Sequence, residues 1–156
     1  MRRRAQSGHV MVELALAAGV MLSALAGTFQ FGYSFYVYNQ LVTAVGNGAR
    51  YASTRTYRAA TPGDLEKGKT AIRNMVVYGD PHPAAGATSV ARELAPENVR
   101  VEWVSSGVIS GDAPEAVRIS IVSYKVNAIF GAMTLDGRPA AEFPFLGRYA
   151  PGDQEP

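Results

Sequence analysis

Few residues in this chain have the type and spacing to do chemistry. There is no cysteine and there are only two histidines, His9 and His82, which excludes a thiolate metal site, a disulfide framework and a cysteine nucleophile. Asp80-Pro81-His82 offers a metal two ligands, but no third or fourth is apparent, so a solvated loop is the simpler reading. In Gly107-Val108-Ile109-Ser110-Gly111 the serine is displaced by one position from a nucleophile elbow. No phosphate loop or dinucleotide fingerprint is present. Glu97, Glu102, Asp112 and Glu115 sit in or beside expected loops. No catalytic residue, cofactor site or metal site is therefore assigned, and the chain is expected not to be an enzyme.

Glu13 is different. It lies five residues after Gly8, with Arg2, Arg3 and Arg4 just upstream, and no charged residue occurs from Leu14 to Ala49. About 20 apolar residues span a bilayer core, so this run is long enough with length to spare. A carboxylate at the start of such a span is costly without a partner and reads as functional.

The bulk composition fits one small domain plus a membrane segment in 156 residues. A formal charge of +2 could suggest nucleic-acid binding, yet removal of residues 1–8 takes three arginines and leaves 12 basic against 13 acidic residues, net −1. The basicity belongs to the leader and is better read as a topology signal that keeps the N-terminus cytoplasmic. No nucleic-acid partner is expected.

A basic leader, Gly8, four residues, Glu13 and an uninterrupted apolar helix are together similar to the processing site of type IV prepilins and pseudopilins. Phe31 to Ser53 (FGYSFYVYNQLVTAVGNGARYAS) and Met75 to Pro81 (MVVYGDP) narrow the resemblance to TadE-like minor pseudopilins of tight-adherence pilus systems. The resemblance implies processing at Gly8 and His9 by a membrane prepilin peptidase, with Glu13 meeting the new amino group. It also implies partners among other pilins or pseudopilins and the inner-membrane assembly platform. The expected location is the inner membrane, single pass, with the C-terminal part periplasmic and incorporation into the pilus possible. Three departures stand out: Leu14 replaces an aromatic residue, His9 is polar where apolar residues are common, and Gly19 lies near the family's usual proline.

Two rivals stay open. The chain could be an uncleaved anchored periplasmic accessory protein of a pilus or secretion machine. It could also be a periplasmic binding module cut at Ala24-Leu25-Ala26 by the secretory route. Glu13 argues against an ordinary signal, as does the apolar run continuing through Phe29, Phe31, Tyr33 and Val37. For Glu13 itself, a lone carboxylate reaching the headgroups is the bland alternative to pairing.

The elements that must position these residues follow. Ala15, Gly19, Ser23 and Gly27 recur every fourth residue, a spacing that lets helices approach closely in lipid, although small residues are common in membrane helices anyway. Tyr33 lies about 30 Å along a helix from Glu13, so Tyr33, Tyr36 and Tyr38 read as an interfacial belt. Phe35, Tyr38, Val42, Val45, Ala49 and Ala52 form an apolar stripe on a helix running from roughly Val10 to Thr56. Thr61-Pro62-Gly63-Asp64 opens a second helix, which Gly79-Asp80-Pro81 stops. A loop to Asn98 follows, with a short turn near Arg92 to Leu94. Strands are expected at Val99 to Trp103, Val117 to Ile121 and Ala141 to Tyr149, the last an edge because of Pro144. The expected class is α+β: a long transmembrane and amphipathic helix, a second helix and an antiparallel sheet of about three strands. The expected divisions are a leader (residues 1–8), a transmembrane and assembly helix (9–58) and a periplasmic α+β domain (59–156).

Overall fold

The computed structural model describes residues 3–55, 57–58, 62–105, 114–128 and 131–150. In chain order the elements are α1 (Arg3–Ser53), β1 (Tyr57–Arg58), α2 (Pro62–Tyr78), a single 3-10 turn (Pro96–Asn98), β2 (Val99–Val104), β3 (Ala116–Ile121), β4 (Tyr124–Ala128), β5 (Gly131–Leu135), β6 (Ala140–Pro144) and β7 (Tyr149–Ala150). The α+β class and the long apolar first helix are as the sequence indicates. Thr61, the expected cap of α2, and residues 106–113, which include the Gly107 to Gly111 stretch, lie outside the described residues, as do Thr56 and the residues from Pro151.

α1 starts at Arg3 rather than near Val10, because Arg4, Ala5 and Gln6 are good helix formers and only Gly8 opposes them. It ends at Ser53, before the expected Thr56. The Ser53 and Thr54 hydroxyls donate back to the Arg50 carbonyl, and the Ser53 carbonyl accepts the Leu146 N–H at 2.8 Å. Tyr57 and Arg58 then leave the helix and pair in parallel with Tyr149 and Ala150.

The helix stripe that packs is Val37, Leu41, Ala44, Val45, Ala49 and Ala52, all buried. The face expected from sequence is rotated by about one position: Val45, Ala49 and Ala52 belong to it, but Phe35 and Val42 are exposed. Apolar residues cover more than one face of this segment, and only the strands and α2 decide which face is covered. Gly48 sits where α1 meets α2, and a Cβ there would collide with Val76 Cγ2. Glycine is what lets the two helices approach.

α2 ends at Gly79, whose φ of +72° and N–H bond to the Met75 carbonyl at 3.0 Å form a left-handed cap. The central sheet has order β2-β3-β6. Its register pairs Val99 with Ile121, Val101 with Ile119 and Trp103 with Val117, which places the apolar set on one face against α1 and α2. Arg100, Glu102 and Arg118 take the other face, where Arg118 reaches Glu142 at 3.6 Å. β6, carrying Pro144, is the edge strand expected.

The hairpin β4–β5 was not expected. Tyr124 and Val126 alternate correctly for a strand and are buried, but the two arms are joined through Ile129-Phe130, which carries no turn residue. Asn98 holds the junction of β3 and β4: its side-chain amide donates to the Val122 and Ser123 carbonyls at 3.2 Å each. Its side-chain oxygen accepts the Ala95 N–H.

Candidate functional site

Gly8, His9 and Glu13 all lie on α1 and are exposed. Helical geometry puts His9 and Glu13 one turn apart on one face. Glu13 makes no ion pair among the described residues. A Cβ at Gly8 would meet nothing within 4 Å among the described residues.

From Val10 to Phe31 the large apolar side chains are 55–72% exposed, on every side of the helix. This segment belongs to a helix, Gly8–Ser53, that is long and apolar enough to cross a membrane, with a mean hydropathy of 2.0 over an 18-residue stretch. Ala15, Gly19, Ser23 and Gly27 lie along it. The Ser23 hydroxyl donates to the Gly19 carbonyl at 2.8 Å and Thr28 to Ala24 at 3.0 Å. These hydroxyls are satisfied on their own helix, which suits a segment without water. A Cβ at Gly19 or Gly27 would meet nothing within 4 Å, so the stripe of small residues is open along this part of the helix.

The three tyrosines do not form one ring. Tyr33 shares a cleft with Val37, Arg92, Glu93, Tyr124, Lys125, Val126 and Asn127. Tyr36 is exposed, and its hydroxyl accepts a bond from Gln40 Nε2 at 3.0 Å. Tyr38 is half-buried in a groove with Val42, Arg100, Arg138 and Pro139. Facing Tyr33, the Tyr124 hydroxyl donates to the Arg92 carbonyl at 2.7 Å. Burial pushes the Tyr124 phenol above its usual range, with Tyr33 and Glu93 adding to the effect.

Asp80 and His82, the two potential metal ligands, form an ordinary turn: the Asp80 carboxylate accepts the His82 N–H at 2.8 Å. No group of three or more His, Cys, Asp or Glu suited to a metal occurs among the described residues. Sequence reasoning missed Gly48, Asn98 and Tyr124. Gly48 carried a signal, since a helical glycine in an otherwise apolar stretch can mark a close approach. Asn98 and Tyr124 act through partners 24 to 32 residues away, which spacing does not reveal.

A bare apolar helix joined to a small α+β head is compatible with a single-pass membrane anchor. Residues 8–50 match the family model described as TadE-like protein, so this part of the chain is similar to that family. The match covers the helix and not the head. Comparison with curated proteins and with solved structures gives no match.

Proposed function

We propose that this chain is a minor pseudopilin that helps assemble or prime a tight-adherence pilus, matured by a prepilin peptidase that cuts between Gly8 and His9. The observation that carries this reading is that the TadE-like match begins at Gly8 and runs along the helix whose first half has no covering partner in the chain. The arginines before Gly8 keep that end on the cytoplasmic face of the inner membrane, and the head faces the periplasm. The chain is then a substrate rather than a catalyst.

Cutting after Gly8 creates a cationic amino group at His9, one turn from Glu13. Amine and carboxylate are each costly at the edge of lipid, and pairing offsets part of that cost. Between neighbouring subunits, the pair fixes how far one helix slides past the next. The bare helix and its small-residue stripe supply the contact surface, where packing rather than the hydrophobic effect drives association. In a pilus-producing cell whose own copy is deleted, Glu13→Gln should be cut normally yet fail to support pili. A Glu13→Gln chain that is cut and supports pili like the parent removes the pairing step.

A further inference from the structure

The outer face of the central sheet carries more positive charge than its own carboxylates balance. Glu102, Arg118 and Glu142 stand in one row across β2, β3 and β6, so Arg118 has a carboxylate on each side. The next row reads Arg100, Ser120 and Ala140. Its middle is small, and its charge stands at the rim. Gly137, at φ +74°, turns the chain into β6, and the Pro139 carbonyl accepts the Ile121 N–H at 3.1 Å. That bond holds the turn bearing Arg138 beside β3. α1 supplies the other wall: Tyr38 and Val42 line a groove of about 660 Å³ together with Arg100, Ser120, Arg138 and Pro139, and Glu102 and Arg118 also reach it.

Four polar groups in this groove are unpartnered. The guanidinium groups of Arg100 and Arg138 and the hydroxyls of Ser120 and Tyr38 make no hydrogen bond or ion pair among the described residues. Ser120 is only 7% exposed, and a buried hydroxyl is costly without a partner. All four groups can donate, so the groove suits an anion rich in acceptors. Guanidinium forks match phosphate oxygens two at a time. The height of the groove points to a source. At 1.5 Å per residue Tyr38 is about 37 Å along α1 from Glu13, and a tilt of about 20° brings that to about 35 Å. The hydrocarbon core is about 30 Å thick, and headgroups extend the bilayer to about 40–45 Å. The Tyr38 end of the groove is therefore level with the outer headgroups.

We infer that this groove binds the phosphate of an outer-leaflet phospholipid, held between Arg100 and Arg138 with the Ser120 hydroxyl beneath. The inference rests on the reading of α1 as a spanning helix with Glu13 near the inner boundary. Arg118 lies 3.6 Å from Glu142 and opposite Glu102, so Arg100 and Arg138 carry the recognition. Asp136, the acid nearest Arg138 in sequence, is engaged elsewhere, where its carboxylate accepts the Ser123 N–H at 3.3 Å. Val42, 45% exposed, and the Tyr38 ring give the lipid's glycerol an apolar surface that a free phosphate does not use. The contact ties one side of the head to the membrane surface and sets its tilt.

Native mass spectrometry of the full chain in detergent, with added phosphatidylglycerol, diacylglycerol or inorganic phosphate, reads what the groove retains. Trp103 emission checks that each variant's head is folded. The inference expects phosphatidylglycerol to be retained, and the double variant Arg100→Gln/Arg138→Gln to bind it at least about tenfold more weakly. Arg50→Gln/Arg148→Gln removes two exposed arginines outside the groove and should bind it like the parent. Equal weakening by both pairs means diffuse charge, and equal retention of diacylglycerol means acyl adsorption; either overturns the site. Inorganic phosphate held as tightly as the lipid makes this a free-anion site and overturns the lipid source. The spanning helix is read separately, by a nitroxide at Leu22→Cys in phosphatidylethanolamine–phosphatidylglycerol vesicles, in a chain with no other cysteine. Loss of groove-dependent retention, with that label shielded from a water-soluble nickel chelate, overturns the site alone. Nickel access at the label overturns the spanning helix and, with it, the lipid as source.

Discussion

The two halves of α1 each carry a single charged residue between 10 and 53 and are opposite in surroundings. Residues 10–31 expose nearly every apolar side chain, while Val37, Leu41, Ala44, Val45, Ala49 and Ala52 of the same helix are at most 6% exposed. Apolar surface left in water costs about 25 cal/mol per Å², so the first half favours an apolar surrounding. The second half belongs to the core of the head, and the first half is left uncovered, as the proposed contact with lipid and neighbouring helices requires. One helix carries both the uncovered apolar stretch and part of the core of the head.

The comparison is broken or sharpened most strongly by paired truncations. Leu41→Ala should destabilise the head by about 2–5 kcal/mol, the usual cost of a buried leucine truncation, with unfolding in urea followed through Trp103, which packs edge-on to Phe145 at 6.0 Å. Leu22→Ala should leave that transition in place. Equal losses from both would mean that the first half belongs to the fold of the head.

Glycines give the next largest contrast. Gly48→Ala forces a methyl into Val76 and should cost about 1–3 kcal/mol by overpacking. Gly46→Ala meets nothing within 4 Å and should stabilise by up to about 1 kcal/mol through helix propensity. The same denaturation series reads both signs.

Tyr124 tests the border itself. Because the folded head holds this phenol's pKa above its unfolded value of 10.0, the folded state binds more protons in the alkaline window. Its contribution is complete below pH 10 and is lost as pH rises through the folded pKa. Tyr124→Phe should cost about 1 kcal/mol at neutral pH, for the bond to Arg92, and flatten the alkaline fall in stability.

The smallest effect sits on exposed α2. Lys69, by hydrogen bond and charge, holds the Glu66 carboxyl below its usual range of 4.5, so its contribution is present above that pH and fades on acidification through the lower folded value. In open water such a pair is weak, and Glu66→Gln should shift the melting temperature barely at all. Glu13→Gln removes the same charge at a lipid boundary and should abolish assembly.

Much of this was legible in advance. The uncharged run, Gly8 and Glu13 set the long helix and its anchor, and Val99 to Trp103 and Val117 to Ile121 declared a sheet by strict alternation. Pro144 marked the edge strand correctly. The packed face of α1 was misplaced by one position because Phe35 and Val42 are as apolar as Leu41, and periodicity cannot rank faces that are all apolar. The β4–β5 hairpin was hidden by a connection, Ile129-Phe130, that lacks the polar and glycine residues which punctuate turns in water. The need for glycine at position 48 follows only from Val76 packed against it. On the candidate site, the positions of Gly8, His9 and Glu13 could be read from spacing, but the division of Tyr33, Tyr36 and Tyr38 between head and surroundings depends on long-range packing.

The most direct measurement is the N-terminal sequence of the protein extracted from membranes of pilus-producing cells. The account predicts a chain beginning at His9, so that a free amine stands one turn from Glu13. A chain still beginning at Met1, or one beginning at Gly27, contradicts it.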